Sequence, residues 1–278
     1  MKKLLIVDNG SSRCRWAFAT SPSSFFTIET EGINPVYIKK KKITSVIKKI
    51  KSEIQQPDVI FFYSAGCHNT AFIHSIQQIL EKSFKANVFI FHDLLGSARA
   101  LFRDAPGIAG ILGTGSSAGY YDGSHLFIEY EPGGYLVSDE GAATSIAKLF
   151  LKYYLSGKLL PELLHPFEEK LKVNPSMAIK KLYRSPSRFL SKVGKYICEN
   201  SSHPFIIEKI AIPSFREYRH WWILPLFQKY QTEVGFTGSV AFFFRDVLKD
   251  VFKDIPLKTI KREVIQDLVL YHFNHRTI

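Results

Sequence analysis

Residues 4–7, Leu-Leu-Ile-Val, form a short apolar run that stops at Asp8, the pattern of a strand buried on both faces. Residues 15–19 and 24–30 follow as alternating or β-rich runs, which predict a meander of three strands. Gly32-Ile33-Asn34-Pro35 reads as a loop. Ile43, Val46, Ile47, Ile50 and Ile54 recur at spacings of 3, 1, 3 and 4, an apolar stripe that predicts an amphipathic helix over 42–55. A buried strand over 58–65, a helix over 69–84 and a strand over 88–91, ending at His92-Asp93, come next. A helix over 97–102 then leads to a strand over 108–112. This order of three strands, helix, strand, helix, strand, helix predicts one α/β domain with mixed sheet pairing.

The second half repeats the opening logic. Residues 108–112, 117–121 and 125–130 read as successive strands, joined in part by the turn Tyr121-Asp122-Gly123-Ser124. After Glu131-Pro132-Gly133-Gly134 and residues 135–141, the chain is predicted helical from 142 to 155. Residues 160–232 read as mainly helical, with Phe215, Tyr218, Trp222 and Leu226 at spacings of 3–4 and assigned to the core. Pro225 is expected to break or kink that helix. Residues 235–241 lead from a short strand into a helix over 242–252.

A chain of 278 residues, 46% hydrophobic and 22% charged, is long enough for one large domain or two ordinary ones and has the balance of a soluble globular protein. No stretch approaches the roughly 20 apolar residues of a membrane span, and the run after Met1-Lys2-Lys3 is too short for a signal peptide. Cys14, Cys67 and Cys198 form no ligand pattern and leave an odd count, which fits reduced thiols and a cytoplasmic setting. His272 with His275, and Cys67 with His68, lack the companions a metal site needs. The formal charge of +12 is densest at Lys39-Lys40-Lys41-Lys42 and at Lys48, Lys49 and Lys51. That run begins the predicted amphipathic helix over 42–55, whose polar face is basic, which favours a solvated face, or steering of an anionic substrate, over nucleic-acid binding. No nucleic-acid recognition module is present in the sequence.

Candidate chemistry gathers at turns rich in glycine and hydroxyls. The first is Asp8-Asn9-Gly10-Ser11-Ser12-Arg13 and the second Gly113-Thr114-Gly115-Ser116-Ser117, each after a predicted strand. Such turns aim backbone N–H groups at an anion, and glycine allows close approach. Two of them suggest a nucleotide phosphate chain held from both sides. Asp8 either helps organise magnesium or caps its strand as an Asx turn. Asp93 ends a strand and either caps the following helix or serves as a general base. Asp139 and Glu140, after Gly133-Gly134, either complement a helix dipole or accept hydrogen bonds from a polyol. Gly238-Ser239 either starts a helix or admits a nucleobase or ribose.

Together these segments resemble the N-acetylglucosamine kinase and BadF/BadG-type ATPase family, within the actin-like sugar kinase and heat-shock ATPase superfamily. The first phosphate motif, commonly Asp-Gly-Gly-Gly-Thr-Lys-Thr, is similar to Asp8-Asn9-Gly10-Ser11-Ser12-Arg13-Cys14, and Trp16 stands where an aromatic often follows. Gly32-Ile33-Asn34-Pro35 resembles the sugar-side loop. His92-Asp93-Leu94-Leu95-Gly96-Ser97-Ala98 resembles the segment carrying the catalytic aspartate. Gly113-Thr114-Gly115-Ser116 matches the second phosphate motif without change. Gly133-Gly134-Tyr135 through Asp139-Glu140-Gly141 resembles Gly-Gly-Trp-Gly-x-x-x-Gly-Asp-Glu-Gly-Ser. Gly238-Ser239-Val240-Ala241 is similar to the adenosine motif, and residues 267–272 to the C-terminal helix. Asn9, Ser11, Ser12, Arg13, Cys14, Tyr135, Ser138 and Ala142 depart from the family pattern, and the bulk of Asn9 is expected to crowd the first turn.

The resemblance implies two actin-like, ribonuclease H-like α/β lobes with mixed sheets flanked by helices and ATP in a cleft between them. The lobes would be residues 1–105, completed by a C-terminal helix over 263–278, and 106–262. It implies ATP-dependent phosphorylation of an amino sugar, most simply N-acetylglucosamine, with Asp93 as base. Asp8 would place Mg2+. Gly10, Ser11, Ser12, Arg13, Gly113, Thr114, Gly115 and Ser116 would hold phosphates, with Gly238 and Ser239 at the nucleoside. Asn34, Gly133, Gly134 and Asp139 would face the sugar. Alternatives are an ATPase that drives a partner protein and a nucleotide or sugar sensor. The cysteines do not match the iron–sulfur ligands of the activator ATPases. The partner is a small-molecule sugar, with no nucleic acid and no membrane; dimerisation is common in related kinases.

Overall fold

The apolar run at residues 4–7 becomes a central strand because both of its faces are covered. The computed structural model of the chain describes residues 2–33, 40–67, 70–130 and 133–275. Strand β1 (Leu4–Asn9) lies between β2 (Arg13–Ser21), antiparallel to it, and β4 (Val59–Ser64), parallel to it. β3 (Ser24–Glu31) pairs antiparallel with β2, and β5 (Asn87–His92) pairs parallel with β4, giving the mixed order β3-β2-β1-β4-β5. Leu5 and Val7 face a core built with Ile43, Ile47 and Ile50 of helix α1 (Lys40–Glu53) and Phe72, Ile76, Leu80 and Phe84 of α2 (Thr70–Phe84). Leu4 and Ile6 face the opposite way, onto Ala100 of α3 (Asp93–Phe102) and Val264, Ile265, Leu268 and Val269 at the C-terminal helix.

The chain divides into two compact units, one of Met1–Ala105, Tyr121–Leu126 and Glu263–Ile278, the other of Pro106–Tyr120 and Phe127–Arg262. The second sheet runs β10-β9-β6-β7-β8. Its strands are β6 (Gly107–Leu112), β7 (Ser116–Tyr121), β8 (Leu126–Phe127), β9 (Val234–Thr237) and β10 (Leu257–Lys261). β9 pairs parallel with both β6 and β10. After β8 come helices α4 (Gly134–Val137), α5 (Ala143–Leu155), α6 (Pro161–Leu171), α7 (Pro175–Arg184) and α8 (Pro186–Glu199). α9 (Ile212–Tyr218) and α10 (Leu224–Tyr230) precede β9, α11 (Ser239–Phe243) and α12 (Arg245–Val251) follow it, and α13 (Ile265–Asn274) ends the described chain. The core of this second unit is rich in rings, Phe150, Phe167 and Tyr196 among them, packed edge to face.

Several elements differ from the sequence expectations. Helix α3 begins at Asp93, four residues before the predicted start, because His92 caps it: Leu94 N–H donates to His92 Nδ1 at 3.1 Å. The strand expected over 125–130 shrinks to β8, since Ser124 N–H and His125 N–H donate to Asp122 Oδ1 in a tight turn. α4 was not expected, nor was β10, an edge strand whose two lysines and half-exposed pattern lack an apolar signature. The helix over 242–252 is two helices, parted at Phe244, whose buried ring packs edge-on against Phe215. Pro225 does not break its helix. A π-helical turn, Arg219–Ile223, precedes it, and Leu224 N–H donates back to Arg219 C=O. The wider turn accommodates a ring that has no N–H to donate. Pro213 follows a second such turn, Ile206–Ala211.

Candidate functional site

In the first unit, strand register decides which residues meet. Asp8 lies opposite Arg15 on one side and Tyr63 on the other, Asn9 opposite Ser64, and Ser64 opposite His92. The carboxyl ends of β1, β4 and β5 thus form one row, and Asp93 is the next residue beyond it. Ligands of open α/β sheets bind at such strand ends. The first loop closes tightly, with Gly10 N–H donating to Arg13 C=O at 2.9 Å. Ser11 and Ser12 are exposed on it. Arg13 opens β2 and is half exposed, with Nε 3.4 Å from Glu29 Oε1.

Asn9 does not crowd this turn. Its buried amide faces inward, accepting from Ile33 N–H at 2.7 Å and donating to Ile33 C=O at 2.9 Å and Ser64 Oγ at 2.8 Å. It therefore joins β1, β4 and the segment after β3. Gly32 completes that join, because a Cβ there would lie 2.2 Å from Gly10 O. Neither role was legible in the sequence, where Gly32 is only a loop residue and Asn9 only a departure from glycine. Asn34 lies outside the described residues.

The acids of this row act on one another. Burial, first, raises the Asp8 carboxyl to about 6; Arg15 opposes the rise, and Asp93 and Glu263 add to it. Arg15 itself is held by Glu263 at 2.5 Å and Glu29 at 3.5 Å. Asp93 Oδ1 accepts from its neighbour Leu94 N–H at 2.9 Å and lies 2.9 Å from His92 Nδ1. Burial pulls the His92 imidazole down, but the hydrogen bond and charge of Asp93 outweigh it and leave the ring above its ordinary pKa. Unprotonated, Nδ1 accepts from Leu94 N–H; protonated, it donates to Asp93 instead, and Leu94 N–H keeps Asp93 Oδ1 as its acceptor. Cys67, whose thiol donates to the Ser64 and Phe91 carbonyls, is pushed up to about 12 by burial and by the charge of Asp93.

In the second unit, three glycine segments converge on the end of β6. Gly113 N–H donates to Gly115 C=O at 3.0 Å, and the first N–H groups of α5, at Ala143 and Thr144, donate to Gly113 and Thr114 carbonyls. Asp139 is buried, with φ +67°. Its carboxylate accepts from Ser116 N–H at 3.1 Å and Thr144 Oγ1 at 3.2 Å. A Cβ on Gly115 would stand 2.9 Å from Asp139 Oδ1. Burial raises the Asp139 pKa, against the lowering from these two donors. Gly238, at φ +110°, crosses the end of β6 so closely that a Cβ would meet Leu112 O at 2.4 Å. Ser239 begins α11 and is exposed. Gly133 caps α4 and Gly134 starts it at φ +63°. Sequence reasoning missed the supporting contacts: Ser214 Oγ accepts from Gly141 N–H at 2.9 Å, and Trp222 Nε1 donates to Glu140 Oε2 at 2.7 Å.

The first unit thus gathers two interacting carboxylates beside a glycine-hydroxyl turn, and the second a glycine-lined turn braced by a third carboxylate. Among the described residues no group of three or more His, Cys, Asp or Glu side chains is arranged to hold a metal. Magnesium, however, is commonly held by one or two carboxylates with waters and phosphate oxygens. The mutually repelling charges at Asp8, Asp93 and Glu263 fit a divalent cation, which would relieve them. No described helix is long and apolar enough to cross a membrane.

No protein-family profile and no curated protein matches this chain. Solved structures do. A protein from Porphyromonas gingivalis described as a candidate N-acetylglucosamine kinase superposes with a TM-score of 0.89 at 29% identity, covering 99% of this chain and 100% of its own. A candidate N-acetylglucosamine kinase from Chromobacterium violaceum gives a TM-score of 0.70 at 15% identity, over 98% and 99%. A ROK family glucokinase from Streptomyces griseus, in complex with glucose and AMPPNP, gives 0.59 at 14% identity, over 99% of both chains. The last two show likeness of fold alone.

Proposed function

We propose that this chain, similar over its full length to a solved candidate N-acetylglucosamine kinase, is an enzyme that transfers the γ-phosphoryl group of ATP to a hydroxyl of an amino sugar, N-acetylglucosamine first among them. The observation that carries this reading is the row of strand ends in the first unit, where Asp8 and Asp93 lie close enough for their charges to interact beside the turn at Gly10–Arg13. The full-length likeness to the P. gingivalis protein supports the same reading.

Asp93 is the base: it takes the proton of the sugar hydroxyl as that oxygen bonds to the γ-phosphorus and the bond to ADP breaks. Such assistance contributes roughly 10²–10⁴-fold. The remainder of phosphoryl transfer is positioning and charge neutralisation. When its Nδ1 carries a proton, His92 donates to the Asp93 carboxylate and orients it. Gly10, Ser11, Ser12 and Arg13 bind phosphate from the first lobe, taken as residues 1–105 with 263–278. Gly113, Thr114, Gly115 and Ser116 do so from the second, 106–262, where Gly238 and Ser239 contact the nucleoside. Asp139 serves the sugar together with Asn34, Gly133 and Gly134, and keeps the Gly115–Ser116 backbone in its tight turn. Asp8 would hold Mg2+, which when bound neutralises phosphate charge.

The test is ADP release from MgATP against N-acetylglucosamine, N-acetylmannosamine, glucosamine and glucose, beside an Asp93→Asn variant. Release that depends on one sugar and falls at least 10²-fold in the variant is expected. Full turnover by Asp93→Asn would overturn the assignment of the base. Sugar-independent release would point instead to a partner-driven ATPase, and nucleotide binding without release to a sensor.

A further inference from the structure

No Asp or Glu occurs between residues 170 and 198. Helices α6, α7 and α8 fold that stretch around a cavity of about 720 Å³, lined by Lys170, Lys181, Arg184, Arg188, Lys192 and Lys195. Two of the six are already engaged. Lys170 pairs with Glu199, the one acid in the lining, at 2.6 Å. Lys181 donates to the Leu171 and Lys172 carbonyls, at the end of α6, at 3.1 and 3.3 Å. Arg184, Arg188, Lys192 and Lys195 have no hydrogen bond or ion pair among the described residues.

An ordinary solvated helix face mixes signs, because like charges at i, i+4 destabilise a helix. Here Arg188, Lys192 and Lys195 stand at i, i+4 and i+7 on α8 with no acid between them, and Arg184 reaches the same hollow from the end of α7. The floor is apolar, from the buried rings of Phe189 and Tyr196. A hollow of this size, with an apolar floor and converging polar groups, is what small-ligand sites have. Guanidinium forks suit phosphate oxygens two at a time, and lysines add point charge.

We infer that this cavity is a binding site for a small anion carrying at least two phosphate groups, separate from every residue given a role in phosphoryl transfer. Its concave shape favours a compact ligand over an extended nucleic-acid strand. A free pyrophosphate group and a bisphosphorylated sugar share the required chemistry.

The test is calorimetric titration of the full chain, free of nucleotide, with sodium pyrophosphate and separately with fructose 1,6-bisphosphate. Wild type is compared with Arg188→Gln/Lys192→Gln. Both side chains are exposed, so the variant should unfold at the same temperature or slightly higher. We expect one class of anion site per wild-type chain whose Kd weakens at least tenfold in the variant, any binding at the glycine-hydroxyl turns being the same in both proteins. Whichever probe binds more tightly identifies the source. Equal Kd values in the two proteins would overturn the proposal, as would absence of binding by either probe. Binding of a 20-nucleotide RNA without binding of either small anion would reassign the surface to an extended polyanion. None of these outcomes depends on ADP release.

Discussion

Replacing Asp8 with Asn should stabilise the protein at neutral pH. Burial together with the charges of Asp93 and Glu263 outweighs Arg15 and moves the Asp8 carboxyl from the ordinary 3.8 to about 6. Between about pH 4 and 6 the folded chain therefore keeps a proton that the unfolded chain releases, and stability falls as pH rises through that window. Above it the ionised carboxylate carries the whole penalty, about 3 kcal/mol at 1.36 kcal/mol per pH unit. Asparagine has nearly the same shape and never ionises. Urea unfolding followed by circular dichroism should give coincident stabilities for wild type and Asp8→Asn near pH 4. The gap should widen to about 3 kcal/mol in favour of the variant by pH 7.5. A gap that stays constant with pH, or a variant less stable at pH 7.5, would refute the reasoning. The cost in function should be plain in the same samples: MgATP should raise the unfolding midpoint of wild type, as any ligand of the folded state does, and leave Asp8→Asn unmoved.

Asn9→Gly should destabilise by about 3 kcal/mol. It removes three hydrogen bonds and strands the Ile33 N–H and C=O, and chemical denaturation measures the loss. Gly32→Ala should cost about 2 kcal/mol, since its methyl meets Gly10 O at 2.2 Å. Because the loop at Gly10–Arg13 must shift, nucleotide binding measured by calorimetry should weaken as well. Gly238→Ala combines φ +110° with a 2.4 Å approach to Leu112 O. A loss of about 3 kcal/mol in the unfolding free energy is expected there.

What could be read along the chain was whatever its local pattern encodes. The unbroken apolar run at 4–7 reads as a strand covered on both faces, and the isoleucines at 43, 47 and 50 as one side of a helix, because side-chain period follows backbone geometry. The glycine-hydroxyl turns were equally legible, since few residue types fit them. His92 was not legible as a cap, because an imidazole acceptor has no distinctive spacing, and β10 was not, because an edge strand carries little apolar signal. The chemistry of the site depended on register. The parallel order β1-β4-β5 brings Asp8 and Asp93 within reach of each other's charge, though 85 residues separate them in sequence. Asn9 became a clamp only when Ile33 and Ser64 arrived beside it, and Asp139 a brace only when Thr144 and the Gly115–Ser116 turn closed around it. Periodicity determines which face of an element is buried. The neighbours that set a buried carboxylate's charge are chosen by strand order and helix packing, and those exist only in three dimensions.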